Sequence, residues 1–181
     1  MIEETQLIVE LKDPLTQQQA FTTLMSLYKE RLYWHVRKMV ISHDDADDVL
    51  QNTFIKVYRN INNFKAESKI YSWMYRIATN ESISFINKRA KQQGIDVNDL
   101  QYKMVEKLEA DVYFDGDHIQ LELQKAIAKL PQKQQLVFNM KYFDNMKYQD
   151  ISEVLETSVG ALKASYHHAV KKIEKFLTNG S

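Results

Sequence analysis

Apolar residues recur at steps of three and four along most of this chain, and very little interrupts them. In FTTLMSLYKERLYWHVRKMV, residues 21–40, one helical face collects Phe21, Leu24, Leu27, Tyr28, Leu32 and Val36. Four glycines and two prolines in 181 residues leave few turns. That poverty argues against a turn-rich β fold and for long helices with short breaks. The expected fold class is all-α: two small helical domains joined by an acidic flexible linker.

Further helices follow in order. SHDD offers an N-cap at Ser42, with acids in the first turn that suit the helix dipole. The helix after it places Ala46, Val49, Leu50, Thr53, Phe54, Val57, Tyr58 and Ile61 inward. Its opposite face carries Asp44, Asp45, Asp48, Gln51, Asn52 and Arg59, with one apolar residue, Ile55, among them. After a break at residues 62–68, a helix runs to about Lys91, and Gly94 ends it. Four more are expected from Ile119: 119–130, stopped by Pro131; 133–142; 148–155; and 158–177, with Ser158 as its cap. The last two are separated by only Glu156, Thr157 and Ser158, the spacing of a helix-turn-helix with the longer, basic helix second.

The net charge of zero conceals a pattern. Residues 20–92 hold twelve basic against seven acidic residues, and residues 124–181 nine against five. Residues 93–123 hold two against eight, and residues 1–19 one against four. Basic blocks of this kind suit nucleic acid or a solvated helical face. The domain division expected is a tail or first helical turn at 1–19, a domain at 20–92, a linker at 93–118 with room for a short amphipathic helix at 102–110, a second domain at 119–177 and a tail at 178–181. The acidic tail and linker are expected to fold back on the basic blocks and mask them.

No cysteine is present, so disulfides, thiolate metal sites and thiol catalysis are excluded. His167 and His168 are adjacent and point about 100° apart on a helix, which does not make a metal site. The acidic pairs Asp44–Asp45 and Asp47–Asp48 have no phosphate cradle or nucleophile motif beside them. Neither metal nor cofactor is expected, and no catalytic residue. The N-terminus, MIEETQLIVE, is acidic and only briefly apolar, and no stretch approaches the ~18–20 apolar residues of a membrane span. The expectation is a cytoplasmic protein with no membrane insertion.

The stretch KIYSWMYRIATNESI, residues 69–83, combines core and surface chemistry. Trp73, Met74 and Ile77 fall on the core stripe. Tyr71 and Tyr75 share a flank, and Arg76, Asn80, Ser84, Asn87 and Lys88 form a polar strip. Amides and Arg can hydrogen-bond base edges, and aromatic rings can receive an unstacked base.

Three segments carry a family resemblance: DDADDVLQNTFIKVYRNI, FKAESKIYSWMYRIATNESISFINKRAKQ and LPQKQQLVFNMKYFDNMKYQDISEVLETSVGALKASYHHAVKKI. In this order they resemble the extracytoplasmic-function (ECF) sigma factors, a group of the sigma-70 family of bacterial RNA polymerase. The resemblance implies a transcription initiation factor that binds core polymerase through Asp48, Gln51, Asn52 and Ile55. It implies that the loop Phe64–Ile70, with Lys65, Ser68 and Lys69, receives a base flipped from the minus-ten element. Tyr75, Arg76, Asn80 and Ser84 would hold the melted strand, with Lys88 and Arg89 on phosphates. Ser158, Val159, Gly160, Lys163, Ala164, Ser165, His167, His168, Lys171 and Lys172 would meet the minus-thirty-five element. Members commonly carry Arg at the places of Ser165 and His168, and Glu at that of Asn52. Core RNA polymerase, promoter DNA and an anti-sigma factor are the implied partners. Two other readings stay open: a stand-alone helix-turn-helix regulator, and a helical adaptor that binds protein only.

Overall fold

The computed structural model describes residues 3–112 and 114–179, which are helical with no strand among them. The order is α1 (Glu4–Lys12), α2 (Gln17–Val40), α3 (His43–Asn60), α4 (Ile70–Gln93), α5 (Val97–Glu106), α6 (His118–Ala128), α7 (Gln132–Phe138), α8 (Tyr148–Leu155) and α9 (Val159–Asn179). A 3₁₀ turn follows α3 at Ile61–Asn63, and a π-helical turn continues α7 through Asn139–Phe143.

The helix boundaries follow local chemistry. Ser42 caps α3 by accepting the Asp45 N–H at 3.4 Å. Gly94 ends α4 in the left-handed region at φ 66°, where its N–H reaches the carbonyls of Ala90 and Lys91. Ser158 accepts the Ala161 N–H at 3.3 Å at the start of α9.

Helices α2, α3 and α4 form the N-terminal core around Leu24, Leu32, Val36, Val49, Val57, Met74 and Ala78. In the C-terminal half, α6, α7 and α9 enclose Ile127, Leu130, Phe138, Ala169 and Ile173. The larger apolar cluster does not stop at the end of α4. It continues through Leu136, Val137, Met140, Ile151, Val154 and Leu162, so α8 lies directly on α4.

Three expectations are corrected here. Residues 1–19 are not a loose tail: α1 buries Leu7 and Leu11 against α2, and Lys12 Nζ donates to the Phe64 carbonyl. The segment at 93–118 is not an open coil. Asp96 caps α5, which buries Leu100 and Val105, and Leu108 follows them inward. Gln101 Nε2 donates to the Met39 carbonyl at 3.1 Å, and Gln135 Nε2 donates to Gln101 Oε1 at 3.0 Å. One buried amide pair thus ties the connection to both halves. At the C-terminus Thr178 and Asn179 belong to α9, while Gly180 and Ser181 lie outside the described residues, as do Met1, Ile2 and Tyr113.

Candidate nucleic-acid and partner interfaces

The outer faces of α2 and α3 leave a groove of about 540 Å³ floored by Phe21, Met25, Leu50 and Phe54. Ile55 is 41 % exposed and Tyr58 43 % exposed at its edge. Phe21 holds Tyr58 edge-on, with ring centroids 5.0 Å apart. Asp48, Gln51 and Asn52 are exposed on the same helix face, and Asp48 and Gln51 join Asp47, Lys29 and Arg59 in lining the groove. An apolar floor with a charged rim is a surface that receives a helix. The periodicity that assigned Tyr58 to the core missed its place at the lip. Tyr is amphipathic, and its position at the edge of the stripe is the only signal the sequence holds.

The residues expected along α4 divide into three groups. Phe64, Ile70 and Tyr75 are buried in this structure. Phe64 packs on Trp73 with centroids 4.9 Å apart. Ile70 is fully enclosed at the first turn of α4. Tyr75 lies 4.7 Å from the His35 ring, and its hydroxyl donates to the Arg31 carbonyl at 3.4 Å. The flank read as an aromatic platform is covered by α2.

A second group is engaged by charged partners. Lys69 Nζ donates to Asp150 Oδ1 at 2.9 Å, and Arg76 Nη2 donates to the Glu153 carbonyl. Arg76 Nη1 also stands 3.5 Å from Glu156 Oε1. Arg89 is paired with Asp45. The third group, Lys65, Asn80, Ser84 and Lys88, is exposed, and Ser68 is half-buried.

In the C-terminal half, the turn between α8 and α9 passes through Glu156 in the left-handed region at φ 52°. Leu162, Ala169 and Ile173 hold α9 inward. Tyr166 stacks on Phe138, with centroids 5.8 Å apart. Gly160, Lys163, Ala164, His167, His168, Lys171 and Lys172 are exposed on the outer side, with Ser158 at its start; Val159 and Ser165 are half-buried. A capped basic helix set on a tight turn is the geometry of a major-groove reader.

Residues 24–92 match the family model for sigma-70 region 2, and residues 120–173 match that for sigma-70 region 4. The chain is 32 % identical over 168 residues to the ECF RNA polymerase sigma factor SigW of Bacillus subtilis (strain 168), covering 88 % of this chain and 90 % of that protein. This chain belongs to the ECF group of the sigma-70 family.

Other ECF relatives include the sigma-E factor of Haemophilus influenzae (strain ATCC 51907 / DSM 11121 / KW20 / Rd), 29 % identical with 86 % of each chain covered. The fold of this sigma factor is shared with CnrH, solved in complex with the cytosolic domain of CnrY, at a TM-score of 0.71 and 20 % identity; 98 % of this chain and 99 % of that one align. The sigma factor RpoE from Bartonella quintana, solved with the anti-sigma factor NepR, aligns at a TM-score of 0.66 and 19 % identity, over 87 % and 96 % of the two chains.

Two carboxylates in this sigma factor are held in ionised form despite burial. Burial pushes the Asp144 carboxyl up, but His35 at 3.3 Å and Lys38 at 2.7 Å outweigh it and hold it below the usual carboxylate range. Burial also opposes ionisation of Asp150, and the Tyr71 hydroxyl and Lys69 ammonium prevail. Burial and the neighbouring Asp150 push the Tyr71 hydroxyl well above its ordinary range, so it acts as a neutral donor. Sequence reasoning named neither carboxylate as a functional residue. Each partner lies more than seventy residues away in the chain, beyond anything periodicity reports.

Proposed function

We propose that this sigma factor binds core RNA polymerase through the groove between α2 and α3 and carries it to promoters as a binding factor, with no catalysis of its own. The α9 face formed by Lys163, Ala164, His167, His168, Lys171 and Lys172 meets the upstream duplex element. Asn80, Ser84 and Lys88 on α4, with Lys65 and Ser68 in the preceding loop, follow the melted minus-ten strand. Lys69 and Arg76 join them once they leave their carboxylate and carbonyl partners. The protein works in the cytoplasm, where polymerase and chromosome are. An anti-sigma protein is an expected partner, as RpoE is in complex with the anti-sigma factor NepR.

One observation carries the assignment. The half-exposed Ile55 and Tyr58 stand over an apolar groove rimmed by Asp48 and Gln51, on the same helix that packs the α4 strip into register. Strand capture needs such a fixed platform, because unstacking a base costs a few kcal/mol that the bound state must return.

Run-off transcription on a genomic promoter library, with core polymerase and with or without this chain, is the direct test. Defined start sites that appear only with the chain are expected. Ile55→Asp is expected to weaken polymerase binding by about tenfold, because a charge replaces an apolar side chain at the lip of the groove, beside Asp48. It should leave the fold intact, since Ile55 faces solvent. Tight duplex binding without polymerase would favour a stand-alone regulator instead. Absence of promoter crosslinks within a polymerase complex would favour a protein-only adaptor.

A further inference from the structure

Helix α1 takes no part in the contacts assigned to polymerase or DNA, yet it holds the loop before α4 at both ends. Lys12 Nζ donates to the Phe64 carbonyl where the loop begins, and Glu4 Oε1 accepts the Ile70 N–H at 2.9 Å where it ends. We infer that α1 is a positioning element for strand recognition: Glu4 and Lys12 set the shape of the Phe64–Ile70 loop and thereby its choice of minus-ten base. The inference rests on the assignment of this loop to the melted strand.

The loop needs support of this kind. Helix α4 begins without a cap of its own, because Lys69 stands at the N-cap position and its side chain has no acceptor to offer. Glu4 supplies the acceptor from 66 positions away, and its charge suits the positive end of the helix. Between Phe64 and Ile70, Ala66 sits in the left-handed region at φ 57°. A β-carbon disfavours that conformation, so the surroundings must impose it.

The two bonds stand on a fixed platform. Leu7 and Leu11 bury α1 against α2, and α1 also packs on the 3₁₀ turn. Gln17 Nε2 donates to the Leu11 carbonyl at 2.9 Å and Thr16 Oγ1 to that of Glu10 at 2.8 Å, which ties the end of α1 to the start of α2. Glu4 and Lys12 lie about 12 Å apart along the helix axis. One rigid rod thus fixes both ends of the loop, and the Phe64 ring is fixed separately on Trp73.

Between these ends Lys65, Ala66, Glu67 and Lys69 are exposed, and Ser68 is half-buried. The clamp therefore leaves free the part that meets a base. A loose loop would adapt to several bases at similar cost. A held loop discriminates, because a misfitting base must displace the clamp. Glu4 and Lys12 are themselves exposed, so their substitution leaves the apolar contacts of α1 in place.

The test uses holoenzyme reconstituted from core polymerase and the full-length chain. It is run on two promoter libraries, one randomised in the minus-ten element and one in the minus-thirty-five element. Glu4→Ala and Lys12→Met each remove one bond. Minus-ten selectivity, the transcript ratio of preferred to disfavoured bases, is expected to fall about threefold for each and about tenfold for the pair. Minus-thirty-five selectivity and affinity for core polymerase should stay as they are. Glu4→Gln keeps an acceptor and Lys12→Arg keeps a donor, so both should restore most of the selectivity. Glu3→Ala removes the adjacent acid instead and should behave as the parent chain. In the free chain, hydrogen exchange of the Ile70 amide should quicken about tenfold in Glu4→Ala, a readout that involves no DNA.

Lys65→Ala/Ser68→Ala tests the loop reading by itself. If it leaves the minus-ten profile unchanged, the loop is not the reader and the inference falls with that reading. If it shifts the profile while Glu4→Ala/Lys12→Met does not, the loop reading stands and the clamp is overturned. Selectivity that the conservative variants fail to restore, or an Ile70 amide that exchanges at the same rate in Glu4→Ala, also overturns the clamp.

Discussion

Asp144 ties two elements through one carboxyl group, because the turn carrying it meets both His35 and Lys38 on α2. Its depressed pKa and that of Asp150 set an acid limit for this seam. A carboxyl depressed in the folded state contributes stability that is fully present above its unfolded value, near about 4. That contribution is lost as pH falls through the folded value. Urea unfolding should therefore show the contribution of these two groups unchanged between pH 8 and about 5, then declining as the medium becomes more acid. The double variant Asp144→Asn/Asp150→Asn should lose stability at neutral pH and show a shallower acid decline. A second residue-level test concerns Gly94 at φ 66°, where a Cβ would meet no atom within 4 Å. Gly94→Ala should cost about 1 kcal/mol, all of it from the backbone, with no change in packing. Thermal unfolding at neutral pH would measure it.

Among the elements, α9 separates its tasks by face. Leu162, Ala169 and Ile173 fix it to the C-terminal core, and the lysines of the outer face are left to solvent. Lys171→Gln/Lys172→Gln should therefore leave the fold unchanged. For duplex DNA it should flatten the dependence of log affinity on log salt by about 0.9 for each phosphate no longer neutralised, measured on the polymerase complex. This helix was legible in the sequence. Its cap, its inward stripe and the three-residue turn before it all follow from local rules. In α4 the same rules located the helix and its glycine stop, yet the flank on which they set Tyr75 is buried. Helical spacing places Tyr75 on the flank of the stripe. Whether a flank faces water depends on what packs there, and His35 of α2 covers it. Tyr58 fails in the opposite direction: it lies on the stripe, yet no neighbour completes its enclosure.

The two halves are joined more firmly than the charge pattern implied. The acidic connection was expected to mask the basic blocks electrostatically. In the fold, Asp111 meets Arg37 and Asp96 caps α5, while the carboxylates over Lys69 and Arg76 come from α8 and the turn that follows it. The N-terminal acids contribute locally, with Glu4 accepting the Ile70 N–H at 2.9 Å. Removing residues 1–12 should expose the α2 surface that Leu7 and Leu11 cover. A loss of roughly 3–6 kcal/mol is expected in urea unfolding, at about 1.5–3 kcal/mol for each of two buried leucines. Local chain chemistry, acting over a few residues, settled the helices, their caps, the helix-turn-helix spacing and the family membership, because those depend on backbone preferences and side-chain period. Burial settled the rest: which flank of α4 is open, which carboxylates face which cations, and how closely α8 lies on α4. Those outcomes depend on desolvation and charge pairing between residues forty or more positions apart, and no local pattern encodes them.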